Sequence, residues 1–153
     1  MDGAPPPVDS GIECRQTMTM SDRDEVLRLN ERFYEAFRTR DFDELDGLVA
    51  VDAPVAVVHP GWRALAGRDE VMASWRAIFR NPRAPEVRCE LPVVFLMGDV
   101  AMVVCTEALP EGSLVATNLY VREGGGWRMS HHHAGPGEGV LPDPDEDDGA
   151  VLH

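Results

Sequence analysis

The sequence predicts an α+β domain in which helices come first and an antiparallel sheet follows. Two observations carry this prediction. Apolar residues recur at helical spacing between positions 21 and 80, and from position 87 the period changes to two. Short turns at Gly98-Asp99, Pro110-Glu111-Gly112 and Gly124-Gly125-Gly126 then divide the second half into hairpins.

Each element has its own signal. Ser21-Asp22-Arg23-Asp24 is an N-cap signature with an acid three residues on. Val26, Leu29, Phe33 and Phe37, with Leu27 and Tyr34 alongside, form the stripe of a first helix that runs to about Arg40. Asp41 caps a second helix, whose apolar side is Phe42, Leu45, Leu48 and Val49, and Asp52-Ala53-Pro54 ends it. Val55 to His59 is a short buried strand closed by Pro60-Gly61, and Trp62 to Gly67 is a loop. Arg68-Asp69-Glu70 opens a third helix with acids at its positive end. Val71, Trp75, Ile78 and Phe79 stripe it, and Asn81-Pro82 stops it. Val87, Cys89 and Leu91 then alternate with Arg88 and Glu90, and Val100–Leu109, Ser113–Arg122 and Trp127–His133 are the strands that follow. Residues 1–20 read as a disordered lead, 21–135 as the domain and 136–153 as a disordered acidic tail.

Composition narrows the function. The 153 residues suggest one domain, with 44% hydrophobic residues and a formal net charge of -13. Six acids and no base fall after Ala134, so much of that charge is local. An acidic domain without a basic patch argues against nucleic acid and against an anionic membrane surface. No apolar run is long enough for a membrane span and no secretory leader is visible, so a cytoplasmic protein is expected. Cys14, Cys89 and Cys105 show no CxxC spacing, which fits reduced thiols. All fourteen basic residues are Arg, which excludes Schiff-base chemistry by a lysine.

The histidines carry the candidate chemistry. His131-His132-His133 ends the last strand, and period two puts His131 and His133 on one face and His132 on the other. If the 110–113 turn joins Leu109 to Leu114, then Glu107, Cys105 and Val103 stand opposite Ala116, Asn118 and Tyr120. His131 and His133 are expected to join that face and form a relay with His59. His59 is the candidate base or acid, and Asn118 the amide donor to a carbonyl or enolate oxygen. Trp62 and Trp75 are expected to wall an apolar pocket, with Tyr34, Cys105 and Tyr120 as further ligand contacts. A weaker alternative is a divalent metal held by the His-x-His pair and a third His.

The order of blocks resembles the nuclear transport factor 2-like superfamily, in particular its SnoaL-like branch. The resemblance covers residues 21 to 135. It rests on Phe33-Tyr34-Glu35-Ala36-Phe37, Asp41-Phe42-Asp43, His59-Pro60-Gly61-Trp62, Gly67-Arg68-Asp69-Glu70-Val71, Ser74-Trp75, Ala116-Thr117-Asn118 and Gly126-Trp127-Arg128 with the closing histidines. It implies a cone: a strongly curved antiparallel sheet wrapped around three N-terminal helices, with a pocket between. It also implies a homodimer through the outer sheet face, an apolar small-molecule ligand and no cofactor. The activities implied range over isomerases, cyclases, lyases and binding-only members. Against the related ketosteroid isomerase the chain departs at each catalytic position. His59 stands near the carboxylate base, Asn118 replaces the acid donor, and Phe33 replaces the phenol, with Tyr34 one position away.

Overall fold

A computed structural model describes residues 20–138 and 141–142. The expectations for residues 1–19 and for the acidic run from 143 onward lie outside the described residues. Three helices, α1 (Asp22–Thr39), α2 (Phe42–Leu48) and α3 (Arg68–Arg80), lie against a six-stranded sheet. Its strands are β1 (Ala56–Val58), β2 (Leu65–Ala66), β3 (Arg88–Met97), β4 (Val100–Leu109), β5 (Gly112–Glu123) and β6 (Gly126–Gly135). No helix among the described residues is long and apolar enough to cross a membrane.

The local signals act as their chemistry requires. Ser21 caps α1 by accepting from the Asp24 amide, and Asp41 caps α2 by accepting from the Glu44 amide. Arg40 ends α1 in the left-handed region (φ 60°) and turns the chain directly into α2. Its guanidinium donates to the carbonyls of Ile78, Phe79, Asn81 and Ala84, tying the end of α1 to the loop after α3.

The sheet order is β2-β1-β6-β5-β4-β3. It is mixed rather than wholly antiparallel, because β1 runs parallel to β6. The stretch read as a loop between Trp62 and Gly67 contains β2, paired with β1. The β4–β5 turn is tighter than expected. Leu109 pairs with Gly112, so Cys105 stands opposite Ala116 and Val103 opposite Asn118. The slip is two residues, so every side chain keeps its expected face.

The closing strand differs in a way that matters. Tyr120 pairs with Met129, but Leu119 pairs with His131, so Ser130 is an extra residue in β6. This bulge reverses the alternation. Trp127 and Met129 point into the core before it, and His132 and Ala134 after it. His131 and His133 are carried to the outer face, where their rings lie 6.2 Å apart. The expectation that these two join His59 and Asn118 is corrected: His132 takes that place.

Candidate functional site

A cavity of about 350 Å³ opens between the helices and the concave sheet face. Phe33, Phe37, Trp75 and Ile78 supply aromatic and aliphatic wall from α1 and α3, and Leu109 and Leu114 from the sheet. Four titratable groups break this apolar lining in its buried part: Tyr34, His59, Glu107 and His132.

His59 is 2% exposed and follows β1 directly. Its ring stands edge-on to Trp75 at 4.5 Å and to Trp62 at 4.9 Å. Ser74 Oγ donates its single proton to the Val71 carbonyl (2.6 Å), so it can only accept from His59 Nε2, 2.8 Å away. The tautomer is thereby fixed with Nδ1 as a free lone pair. Burial lowers the His59 pKa to about 4, so the ring is neutral at physiological pH.

His132 is fixed by the same kind of argument. The Asn118 amide nitrogen donates to Asn30 Oδ1 (2.9 Å) and to Tyr34 Oη (3.2 Å). Asn118 Oδ1 is therefore the acceptor for His132 Nδ1 at 2.6 Å. His132 Nε2 is left as a lone pair, 3.8 Å from Glu107 Oε2. Burial, and then repulsion from His59, His131 and His133, lowers the His132 pKa to about 3.

Among the described residues Glu107 is the only carboxyl lining the cavity, and it is 5% exposed. Tyr34 Oη donates to its Oε2 at 2.7 Å. Burial raises its pKa, and the Tyr34 hydrogen bond offsets that only in part. In solution an imidazole holds a proton more tightly than a carboxylate. Here burial pushes the carboxyl up and both imidazoles down, so the histidines are neutral acceptors and Glu107 binds a proton more readily than an ordinary carboxylate does.

The other expected site residues divide into two groups. Tyr34, Trp62 and Trp75 line the cavity. Trp62 is 45% exposed at the mouth, whereas Trp75 is buried and its Nε1 has no hydrogen-bond partner among the described residues. Asn118, Cys105 and Tyr120 are also buried, but they lie behind the lining. Tyr120 Oη donates to Asn30 Oδ1 at 2.8 Å, and Cys105 Sγ lies 3.4 Å from Tyr34 Oη. Asn118 cannot serve as the expected oxyanion donor, because both its donor contacts and its acceptor contact go to protein partners. Its role is to position His132 and Tyr34. No group of three or more His, Cys, Asp or Glu among the described residues is placed to hold a metal ion.

Sequence reasoning gave too little weight to Glu107 and missed Asn30. Glu107 ends the inward series Ala101, Val103, Cys105 of an otherwise apolar strand. Asn30 lies on the buried helical stripe four residues from Val26 and from Tyr34. Both are polar residues on a core face, which is the signal that finds them.

Comparison with known proteins agrees with this architecture. The family model for the SnoaL-like domain matches residues 26–136. The chain belongs to the SnoaL-like family. Among solved structures, this SnoaL-like chain is similar to a candidate dehydratase of the NTF2-like family from Streptomyces avermitilis. That match has 33% identity and a TM-score of 0.68, and covers 75% of this chain and 95% of that one. It is also similar to a candidate calcium/calmodulin-dependent protein kinase type II association domain from Thiobacillus denitrificans, with 33% identity, a TM-score of 0.65, and coverage of 72% and 93%. A protein with a cystatin-like fold from Caulobacter vibrioides, 18% identical with a TM-score of 0.63, covers 81% of this chain and 92% of its own, and shares the fold. Among curated proteins, the F-box protein SKIP8 of Arabidopsis thaliana is 23% identical over 111 residues, 71% of this chain. The match spans about half, 48%, of that relative's length.

Proposed function

We propose that this SnoaL-like domain is a cofactor-free enzyme that transfers protons on an apolar carbonyl compound, and that its reaction is of the lyase type. The observation that carries the reading is Glu107, a single buried carboxyl in an aromatic cavity, held by Tyr34 and facing His132. A carboxyl whose proton affinity burial raises (Glu107) and a separate neutral acceptor (His59) share the cavity, and Asn118 has no N–H left for a ligand. One acid and one separate base suit elimination of water, and Trp75 Nε1, a buried N–H of the lining without a partner among the described residues, is available to the carbonyl oxygen. His59 Nδ1 takes the proton from the carbon next to the carbonyl. The neighbouring C–O bond breaks, Glu107 gives its proton to the departing hydroxyl, and an alkene and water result. The His59 proton then returns to Glu107 through solvent. The 33% identical candidate dehydratase supports this choice among the reaction types. A homodimer in a reducing, cytoplasmic compartment is part of the proposal and fits the free thiols Cys89 and Cys105.

A second reading is a binding or assembly module. It is favoured by the 33% identical candidate kinase association domain and by an outer sheet face where Met102 and Val104 stand beside Leu119 and Thr117 with no charge among them. Native mass spectrometry of untagged protein, followed by turnover assays on the compound class it retains, separates the two. Glu107→Gln is expected to lower turnover by at least about 100-fold. Turnover unchanged in that variant, or ligand binding with no turnover in the wild type, sinks the lyase.

A further inference from the structure

The cavity has one feature that proton transfer does not use. Among the described residues Arg83 is the only permanent cation lining it, and it sits at the exposed mouth. Among the described residues its guanidinium has no ion-pair or hydrogen-bond partner, whereas Arg32, Arg63, Arg68 and Arg122 are each paired with an acid. The loop that presents it is held from both sides. Asn81 Oδ1 accepts from the Arg83 amide at 2.9 Å, and the Ala84 amide donates to the Asn81 carbonyl. From beneath, the Arg40 guanidinium draws in the carbonyls of Asn81 and Ala84. The backbone on either side of Arg83 is thus tied to the protein, and the Arg83 side chain lines the cavity entrance.

We propose that Arg83 is an anion-binding site at the cavity mouth, and that the ligand is an apolar compound carrying one carboxylate or similar anionic group. The interior fixes which end goes in. The imidazoles of His59 and His132 are neutral acceptors, and the inner wall is aromatic, so nothing deep in the cavity offers a positive charge. An anion placed beside Glu107 meets a carboxyl that burial already disfavours as an ion. The apolar body therefore fills the space between Phe33, Trp75 and Ile78, and the anionic head stays at the rim on Arg83. The planar guanidinium suits a carboxylate there. In a chain of net charge -13 an unpaired local cation is what makes such a ligand acceptable. The inference rests on the proposed lyase only for the alignment of the reacting carbon with His59 and Glu107.

Calorimetric titration of the full chain with octanoate and with 1-octanol tests it, at low and at high salt. The wild type is expected to bind octanoate about tenfold more tightly than the alcohol, the scale of one charge-assisted hydrogen-bonded pair. Salt should narrow that gap. Arg83→Ala should remove the preference and leave octanol binding unchanged. Arg80→Ala, which deletes an equal charge from an exposed position outside the lining, should keep it. Equal binding of the two ligands by the wild type, a preference that survives Arg83→Ala, or no binding of either overturns the site. The readout is affinity and not turnover. Charge discrimination without any reaction therefore leaves Arg83 standing and removes the lyase, whereas turnover lost in Glu107→Gln with no charge preference does the reverse.

Discussion

Replacing His59 with Gln is expected to make the protein markedly less sensitive to acid. The wild-type sensitivity follows from two imidazoles held far below their ordinary pKa of 6.5, His59 at about 4 and His132 at about 3. In the unfolded chain both take up a proton as the pH falls through 6.5, while in the fold they stay neutral. A depressed folded-state pKa therefore contributes stability that is full above pH 6.5 and is lost as the pH falls towards the folded value. Between pH 7.5 and pH 4.5 linkage makes each histidine worth about 2.5 kcal/mol. Glu107 works in the opposite sense. Its pKa is raised by burial, so it favours the fold in acid and costs stability as the pH rises past the ordinary carboxylate range. Glutamine places an N–H where His59 Nε2 stands, keeps the donation to Ser74, and does not titrate. At pH 7.5 the variant should lose about 1–2 kcal/mol through weaker packing on Trp62 and Trp75. Its further loss on going to pH 4.5 should be smaller than the wild type's by about 2.5 kcal/mol. Urea unfolding at the two pH values, followed by circular dichroism, measures both quantities. An acid-induced loss in His59→Gln equal to that of the wild type refutes the reasoning, because it places the titration elsewhere.

Two further outcomes follow from the same geometry. Asn118→Ala leaves Tyr34, Asn30 and His132 without a shared partner and should lower stability by about 2–4 kcal/mol, measured by denaturant unfolding at neutral pH; a loss below about 1 kcal/mol contradicts the positioning role. If the outer sheet face is the dimer interface, Val104→Arg puts a charge in its centre and should yield a monomer in sedimentation experiments, while a wild-type protein that is already monomeric rejects the interface.

The sheet face most relevant to the site was legible because alternation survives a two-residue slip. The β4–β5 pairing expected from the turn lies two residues out of register, yet Glu107, Cys105, Asn118 and Tyr120 still share the inner face. Alternation does not survive a one-residue insertion. Ser130 is such an insertion, and nothing in Trp127-Arg128-Met129-Ser130 announces it, so simple alternation places the three consecutive histidines on the opposite faces to those they occupy. Asn118 shows a second limit. Its inward face is readable from alternation, but its capacity to serve a ligand depends on how many of its hydrogen bonds the protein uses, and the two acceptors of its amide lie 84 and 88 residues away in the chain.

What the sequence determined by itself was the order and the ends of the elements. These depend on short-range chemistry: Ser21 and Asp41 capping the amides three residues on, apolar stripes at helical period, and glycine turns between strands. Tertiary structure alone decided which histidine enters the cavity, that burial raises the proton affinity of Glu107 and lowers that of both imidazoles, and that Arg83 stands at the mouth without an ion-pair partner among the described residues. Each of these is a property of groups brought together from distant elements. Burial and hydrogen-bond saturation are set by the neighbours a side chain meets in space, and a bulge in one strand is enough to exchange those neighbours.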